Sequence, residues 1–455
     1  MRKSLPTPDD TEPQAPRPGR FAGMGGFSLI WGGHVVSLVG NSVLRFAFII
    51  EAWSAGERAT AVTTLSLCAL LPQVLLSPVA GAVIDRVSKR AALQFADTGG
   101  LVIVGLLAIL QFAGGGLESW QVYPAVALLG AAAAFQYPAM ASSVPMLVRK
   151  DQLQRANGLL ASAKSTADIC GPALGGVLIA LSGIGVILAV DLISFVLALV
   201  AIRVVRFKGD EVRKKDEAGP RKKIAAEAVA GLRYLFTQPS LRDLILTFCV
   251  VNLVMIFGFA AVQPMVLTRT GNNTAALASV NTAIGIGGVA GGLLMAAWGG
   301  PRNRGRGMMT AIIGMCLSAQ VAMALAGGVV GWCAAILVGA LIMPVINGSM
   351  QSIVQTKVPQ EWQGRVFGAV MFLSQISVPL ATAVSGPLAD HVFEPQASAG
   401  TGVFVVLGPL LGNRPGSGMA AMLLIAGLCG IAVALWGLAR RSVRDIDTLL
   451  PDLEG

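Results

Sequence analysis

The stretch GAVIDRVSKR, residues 81–90, sets an aspartate and three basic residues between two long apolar runs. The run before it, TTLSLCALLPQVLLSPVAGAVI (63–84), carries no charge, and a second apolar run follows. Charges gathered in a short connection between oily segments mark a turn at a membrane surface. The bulk composition agrees: of 455 residues, 54% are hydrophobic and only 13% charged, about half the charge of a soluble domain. Mean hydropathy is +0.70. A soluble core cannot absorb that much apolar surface, so the solvent is lipid.

A helix crosses the hydrocarbon layer with roughly 20 apolar residues. Twelve runs meet that length: 27–50, 61–84, 91–113, 120–143, 157–181, 184–205, 243–266, 277–299, 307–326, 329–355, 366–389 and 418–439. Backbone groups in lipid have no water partner, so these runs are expected to be helices. The expected organisation is a disordered N-tail (1–24), a six-helix bundle (25–205), a linker (206–240), a second six-helix bundle (241–439) and a C-tail (440–455). The tail MRKSLPTPDDTEPQAPRPGR is rich in Pro and charge. In the linker, KKIAAEAVAGLRYLF has apolar residues at helical spacing. It reads as an amphipathic helix on the membrane surface, with a solvated linker as the alternative.

Charge placement orients the spans. With the N-terminus inside, 29 of the 34 Lys and Arg fall on the cytoplasmic side, and only Arg58, Arg269 and Arg414 fall outside. Arg45 and Lys164 lie within spans. That asymmetry puts both termini in the cytoplasm of an inner-membrane protein. It also accounts for the net charge of +10 without nucleic acid. The six cysteines all sit in apolar runs and read as packing residues. With two histidines, His34 and His391, no metal centre and no cofactor are expected.

The six-plus-six pattern suggests duplication. SVPMLVRKDQLQRANG (143–158) and IVQTKVPQEWQGRVFG (353–368) each follow the fourth span of a half. In register, Asp151 meets Glu361, Arg155 meets Arg365 and Gly158 meets Gly368. Two six-span halves related by an axis along the membrane normal are a transporter architecture.

With that layout, the opening stretch resembles the signature loop of the major facilitator superfamily, G-x-x-x-D-R-x-G-R/K-R/K between spans two and three. Gly81, Asp85, Arg86, Lys89 and Arg90 match, while Ser88 stands in place of the second glycine. The resemblance implies a cytoplasmic latch that pairs these charges with each other and with a neighbouring helix end. Asp97 is assigned to the same latch. In span five, DICGPALGG (168–176) resembles an exporter-associated motif through Gly171, Pro172, Gly175 and Gly176. FQYPAMASSVPMLVRKDQLQRANGL (135–159) is most similar to the macrolide-efflux and siderophore-exporter branch. The resemblance covers about residues 25–440 and implies an all-α membrane fold of two pseudo-symmetric six-helix halves.

Charges at membrane depth are costly and mark functional positions. Asn41 and Arg45 share a face of span one, and Lys164 and Asp168 are spaced i,i+4 on span five. Together with Gln136 they are the candidate substrate and proton pathway. Two readings of Asp168 stand side by side: a proton-exchanging carboxylate, or half of a structural pair with Lys164. The glycine-rich NTAIGIGGVAGG (281–292) has no preceding strand and no following Lys-Ser/Thr. It reads as helix packing through Gly288 and Gly292 rather than as a nucleotide loop.

The expectation is a non-enzymatic, monomeric secondary transporter that exchanges an amphipathic small molecule, such as a drug, antibiotic or siderophore, for protons. The alternatives are a lipid or lysolipid flippase of the same fold, a non-transporting sensor, and a membrane enzyme. The last lacks the carboxylate clusters it would need.

Overall fold

The computed structural model describes residues 24–84, 87–149, 152–205 and 233–450. Nearly all of the expected N-tail, the linker from 206 to 232, and Asp85, Arg86 and Asp151 lie outside these residues. Among the described residues, eleven helices are long and apolar enough to cross a membrane. The first half holds α1 (Met24–Ser54), α2 (Ala59–Ile84), α3 (Lys89–Ala113), α4 (Ser119–Leu147) and α5 (Leu153–Val204).

Helix α5, 52 residues long, breaks at Gly183, with φ 71 and ψ −177. Only glycine takes that conformation without strain. The break divides α5 into two arms, 153–182 and 184–204, which supply the fifth and sixth crossings. With α5 counted as two crossings, the eleven apolar spans among the described residues give the twelve expected. The bend comes at Gly183 between the spans and not at Pro172, which the first helical arm accommodates.

The second half begins with α6 (Pro239–Ala260) and α7 (Val262–Arg269), which form one crossing, followed by α8 (Thr274–Trp298). The next crossing starts as α9 (Arg304–Met315), passes through a π-helical stretch (Cys316–Ala322) and ends as α10 (Met323–Leu325). Then come α11 (Val329–Lys357), α12 (Gln360–Leu388) with its π-helical extension (Ala389–Phe393), and α13 (Glu394–Ala399). The short α14 (Phe404–Leu411) precedes the last crossing, α15 (Ser417–Ala439). Beyond it, α16 (Arg441–Arg444) and α17 (Ile446–Leu449) fold back against the bundle, with Val443 and Ile446 fully buried.

The duplication is visible in the helix starts. Ala59 and Thr274, and Lys89 and Arg304, are each 215 residues apart. Helices α4 and α11 match end to end at an offset of 210, from Ser119 and Val329 to Leu147 and Lys357. The halves meet where α5 packs on α8 and where α2 packs on α12. Large apolar side chains cover the outside of the bundle, including Phe112, 69% exposed, and Leu293, 68% exposed. In water such a surface would aggregate; lipid covers it.

Glycines set the closest approaches. Gly287 and Gly291 of α8 lie against Leu337, Ala340 and Leu341 of α11, where an added Cβ would collide with backbone atoms. Gly288 and Gly292, the pair expected to pack, face open space. Both pairs are spaced i,i+4, and only the position of α11 selects between them.

Candidate functional site

The signature loop acts through helix ends. Gly81 lies in the last turn of α2. Ser88 is the N-cap of α3: with φ −63 and ψ 142, its Oγ accepts from the Ala91 N–H at 3.1 Å. The serine that replaces the family's glycine thus satisfies an otherwise unpaired helix donor. Lys89 donates from Nζ to the Ile84 carbonyl at 2.8 Å, and Arg90 donates from Nη2 to the Arg203 carbonyl at 2.7 Å. Both cations sit on the C-terminal ends of α2 and α5, where the helix dipole favours positive charge. Asp97 and Gln136 meet between α3 and α4. Both are buried, and Gln136 Nε2 donates to Asp97 Oδ1 at 3.0 Å. The expected latch residue and the expected pathway residue are partners between α3 and α4.

The span-five motif is a packing surface with two neighbours. Gly171 lies under Ser42 of α1, and a Cβ at Gly175 would come 2.9 Å from the Phe46 ring. A Cβ at Gly176 would come 2.7 Å from Ala278 of α8, in the other half. Pro172 is held within the helix between them. The missing side chains let the first arm of α5 contact its own half on one face and the opposite half on another.

Beside this surface lies the charged group. Lys164 Nζ and Asp168 Oδ2 are 3.1 Å apart, with side chains 76% and 54% exposed. Arg45 is exposed although its neighbours Leu44 and Phe46 are buried, and it interacts electrostatically with Asp168. Asn41, one turn earlier, is half-buried. Ile169, next to Asp168, packs on Gly285 of α8, which places the group at the seam between the halves. Its repeat counterparts in the second half, Ile256, Ala260, Ser374 and Val378, carry no charge. The site is therefore asymmetric: two cations, one carboxylate and one amide, all from the first half. Such a set can hold an anionic or hydrogen-bonding group and can change charge when Asp168 takes a proton.

A polar clasp joins the halves at the end opposite the signature loop, and the sequence did not reveal it. Trp53 Nε1 donates to Asn272 Oδ1 at 2.6 Å, and Asn272 Nδ2 donates to Glu57 Oε1 at 2.7 Å. Glu57 and Asn272 both have positive φ, 49° and 66°, and they are 215 residues apart, as repeat counterparts should be. Counterparts that touch each other lie on the pseudo-twofold axis. Asp390, in the π-helical extension of α12, accepts from the backbone N–H groups of Ala59 at 2.9 Å and Thr60 at 2.7 Å. A carboxylate of one half thus caps the N-terminus of α2 in the other.

A second unforeseen cluster lies at the signature-loop end, within the second half. Asp447 accepts from the Arg304 N–H at 2.6 Å and lies 3.7 Å from its guanidinium and 3.8 Å from the buried Lys357 ammonium. Asp445 pairs with Arg306 at 2.7 Å and with Arg444 at 3.0 Å. Hydrogen bonds from Arg444, then Arg306, hold the Asp445 carboxyl at about 2, well below the usual carboxylate range. The C-terminal residues 441–450 are pinned to the basic end of the second half.

A family model described as Major Facilitator Superfamily matches residues 30–382. Macrolide efflux protein A of Streptococcus pyogenes is 25% identical over 377 residues, covering 80% of this chain and 90% of that protein. Multidrug efflux pump Tap of Mycolicibacterium fortuitum is 26% identical over 363 residues, covering 77% and 86%. Among solved structures, a bacterial homolog to the human lysosomal transporter Spinster, in an inward-facing and unoccupied conformation, superposes with a TM-score of 0.66. It shares 13% identity, with 95% of this chain and 100% of that chain covered. A POT family transporter gives a TM-score of 0.62 at 11% identity, with 91% and 96% covered. These two likenesses are of fold.

Proposed function

This chain belongs to the Major Facilitator Superfamily, and we propose that it expels an amphipathic small molecule, such as a drug or antibiotic, in exchange for protons. It is a secondary active transporter of drug-export type. Two halves rock about a site between them, and binding energy shifts which end is open. The observation that carries the proposal is the pairing of an exposed, asymmetric charge group at the seam with a hydrogen-bonded clasp at one end. The clasp end is taken as the outer face, from the distribution of Lys and Arg, so the conformation described is closed outward. Both termini then lie in the cytoplasm, and the protein works as a monomer in the inner membrane.

In this reading Asp168 exchanges the proton. While ionised it offsets one of the two positive charges of Lys164 and Arg45. Protonation leaves two uncompensated cations, which weakens the site for a cationic substrate and strengthens it for an anionic one. The pair contributes little to stability, because i,i+4 ion pairs on exposed helix faces are worth about 0.3–0.5 kcal/mol. Function and folding therefore separate experimentally. Purified chain in proteoliposomes is expected to transport members of a panel of macrolides and amphipathic dyes against their gradient only when a pH gradient is imposed. Asp168→Asn is expected to abolish gradient-driven transport with its melting temperature nearly unchanged. Full proton-driven transport by that variant would remove Asp168 from the role.

A further inference from the structure

Away from the charge group, the second arm of α5 buries another carboxylate. Asp191 is completely inaccessible. It packs where α1 presents Gly40, so closely that a Cβ there would collide with Asp191 Oδ1 and come 2.8 Å from Ser194 Oγ. Ser194 Oγ donates to Oδ1 at 3.2 Å, while Oδ2 is buried with no hydrogen-bond partner. Facing this arm, Gly33, Ser37 and Gly40 form one face of α1 at i, i+4 and i+7. Gly33 lies against Ala198, so Ser37 falls between the levels of Ala198 and Asp191. Its hydroxyl is also fully buried without a partner.

Among the described residues, the surroundings hold no compensating charge. On α1 the titratable groups are His34, buried about 9 Å along the axis from Gly40, Arg45, which interacts with Asp168, and Glu51, exposed near the clasp. Helix α3 meets this arm through Gly100 against Phe195 and Gly105 against Leu192, and its carboxylate, Asp97, is bonded to Gln136 of α4. Arg203, on the same arm, is three turns away and exposed. An ionised carboxylate with one oxygen orphaned and no cation beside it is heavily disfavoured, whereas the neutral acid is tolerated.

We propose that Asp191 is a proton-binding site of the transport cycle, sealed by α1 in the clasp-closed conformation and opened to proton exchange when α1 shifts against the second arm of α5. Helix α1 connects the parts. It carries Trp53 of the clasp, Arg45 of the charge group and the Ser37–Gly40 face over Asp191. Breaking the Trp53–Asn272 bond frees the end of the helix that seals this carboxylate. The inference rests on the proton-exchange reading above and adds a second acid to Asp168.

The test compares the full-length chain with Asp191→Asn in proteoliposomes, using a fluorescent amphipathic dye. Asparagine is close in shape to the protonated acid, so the variant is expected to fold and to exchange dye for dye, without a gradient, within about threefold of the unsubstituted chain. Gradient-driven accumulation is expected to fall at least tenfold. An infrared band of a protonated carboxyl should be present in the unsubstituted chain and lost in the variant. If Asp191→Asn does not fold, Asp191→Glu is read instead, and the pH of half-maximal transport must shift. Gradient-driven transport unchanged by Asp191→Asn, or a pH profile unchanged by Asp191→Glu, overturns the inference. Flux by the unsubstituted chain that ignores the pH gradient overturns the proton-exchange reading itself.

Discussion

Gly171 shows what a single missing side chain does here. Its hydrogen stands where any Cβ would run into Ser42 of α1, and the next turn of α5 repeats the arrangement, with Gly175 at Phe46 and Gly176 at Ala278. Overpacking a tight helix contact costs typically 1–3 kcal/mol. Gly171→Ala is therefore expected to lower stability by about that amount, and Ser42→Gly in the same chain to restore much of it. The coupling is read as a double-mutant cycle on thermal unfolding in detergent. Additivity of the two changes would show that the contact is not what the glycine serves. The motif was legible from the sequence, but its neighbours were not. Nothing in DICGPALGG says that Gly175 meets the same half and Gly176 the other.

At the level of elements, the clasp is a helix cap supplied across the halves. N-cap carboxylates are worth about 0.5–2 kcal/mol, and this one exists only while α2 and α12 meet at that end. Asp390→Ala should then move the population toward the clasp-open state by roughly 2- to 30-fold, since 1.4 kcal/mol corresponds to a factor of ten. Distances between spin labels on the α1–α2 and α7–α8 loops measure the shift, and an unchanged distance distribution would exclude a gating role for Asp390. The π-helical turn at Ala389–Phe393 places Asp390 where it reaches Ala59 and Thr60. π-bulges within helices often mark functional positions. Neither the turn nor the cap could be read from VSGPLADHVFEP, because the partners lie more than 300 residues earlier in the chain.

Across the whole molecule, the C-terminal residues act as a fixed strap on the second half. Asp445 has a folded-state value of about 2, below the ordinary carboxylate value near 3.9. A depressed value means that the contribution is complete above about pH 4 and fades as the pH falls toward 2. Between pH 5 and 8 Asp445 stays ionised. Asp445→Asn is expected to lower the melting temperature by the same amount at pH 5 as at pH 8, with the difference shrinking at high salt because the pairs are at the surface. A difference that grew or vanished within that pH range would show that another group governs the strap. Any pH dependence of transport in that range then originates outside the Asp445 pairs.

The spans, the duplication and the family were legible along the chain, because lipid imposes its constraints locally. Each crossing must be apolar over its own length and close its own backbone hydrogen bonds, so twelve runs and a biased set of Lys and Arg are enough. The tertiary structure decided which polar residues meet. It joined Asp97 to Gln136, turned Gly287 and Gly291 rather than Gly288 and Gly292 toward α11, and closed Glu57 on Asn272. Those choices depend on how helices rotate against one another, and periodicity along a single helix does not encode the direction in which its neighbour lies.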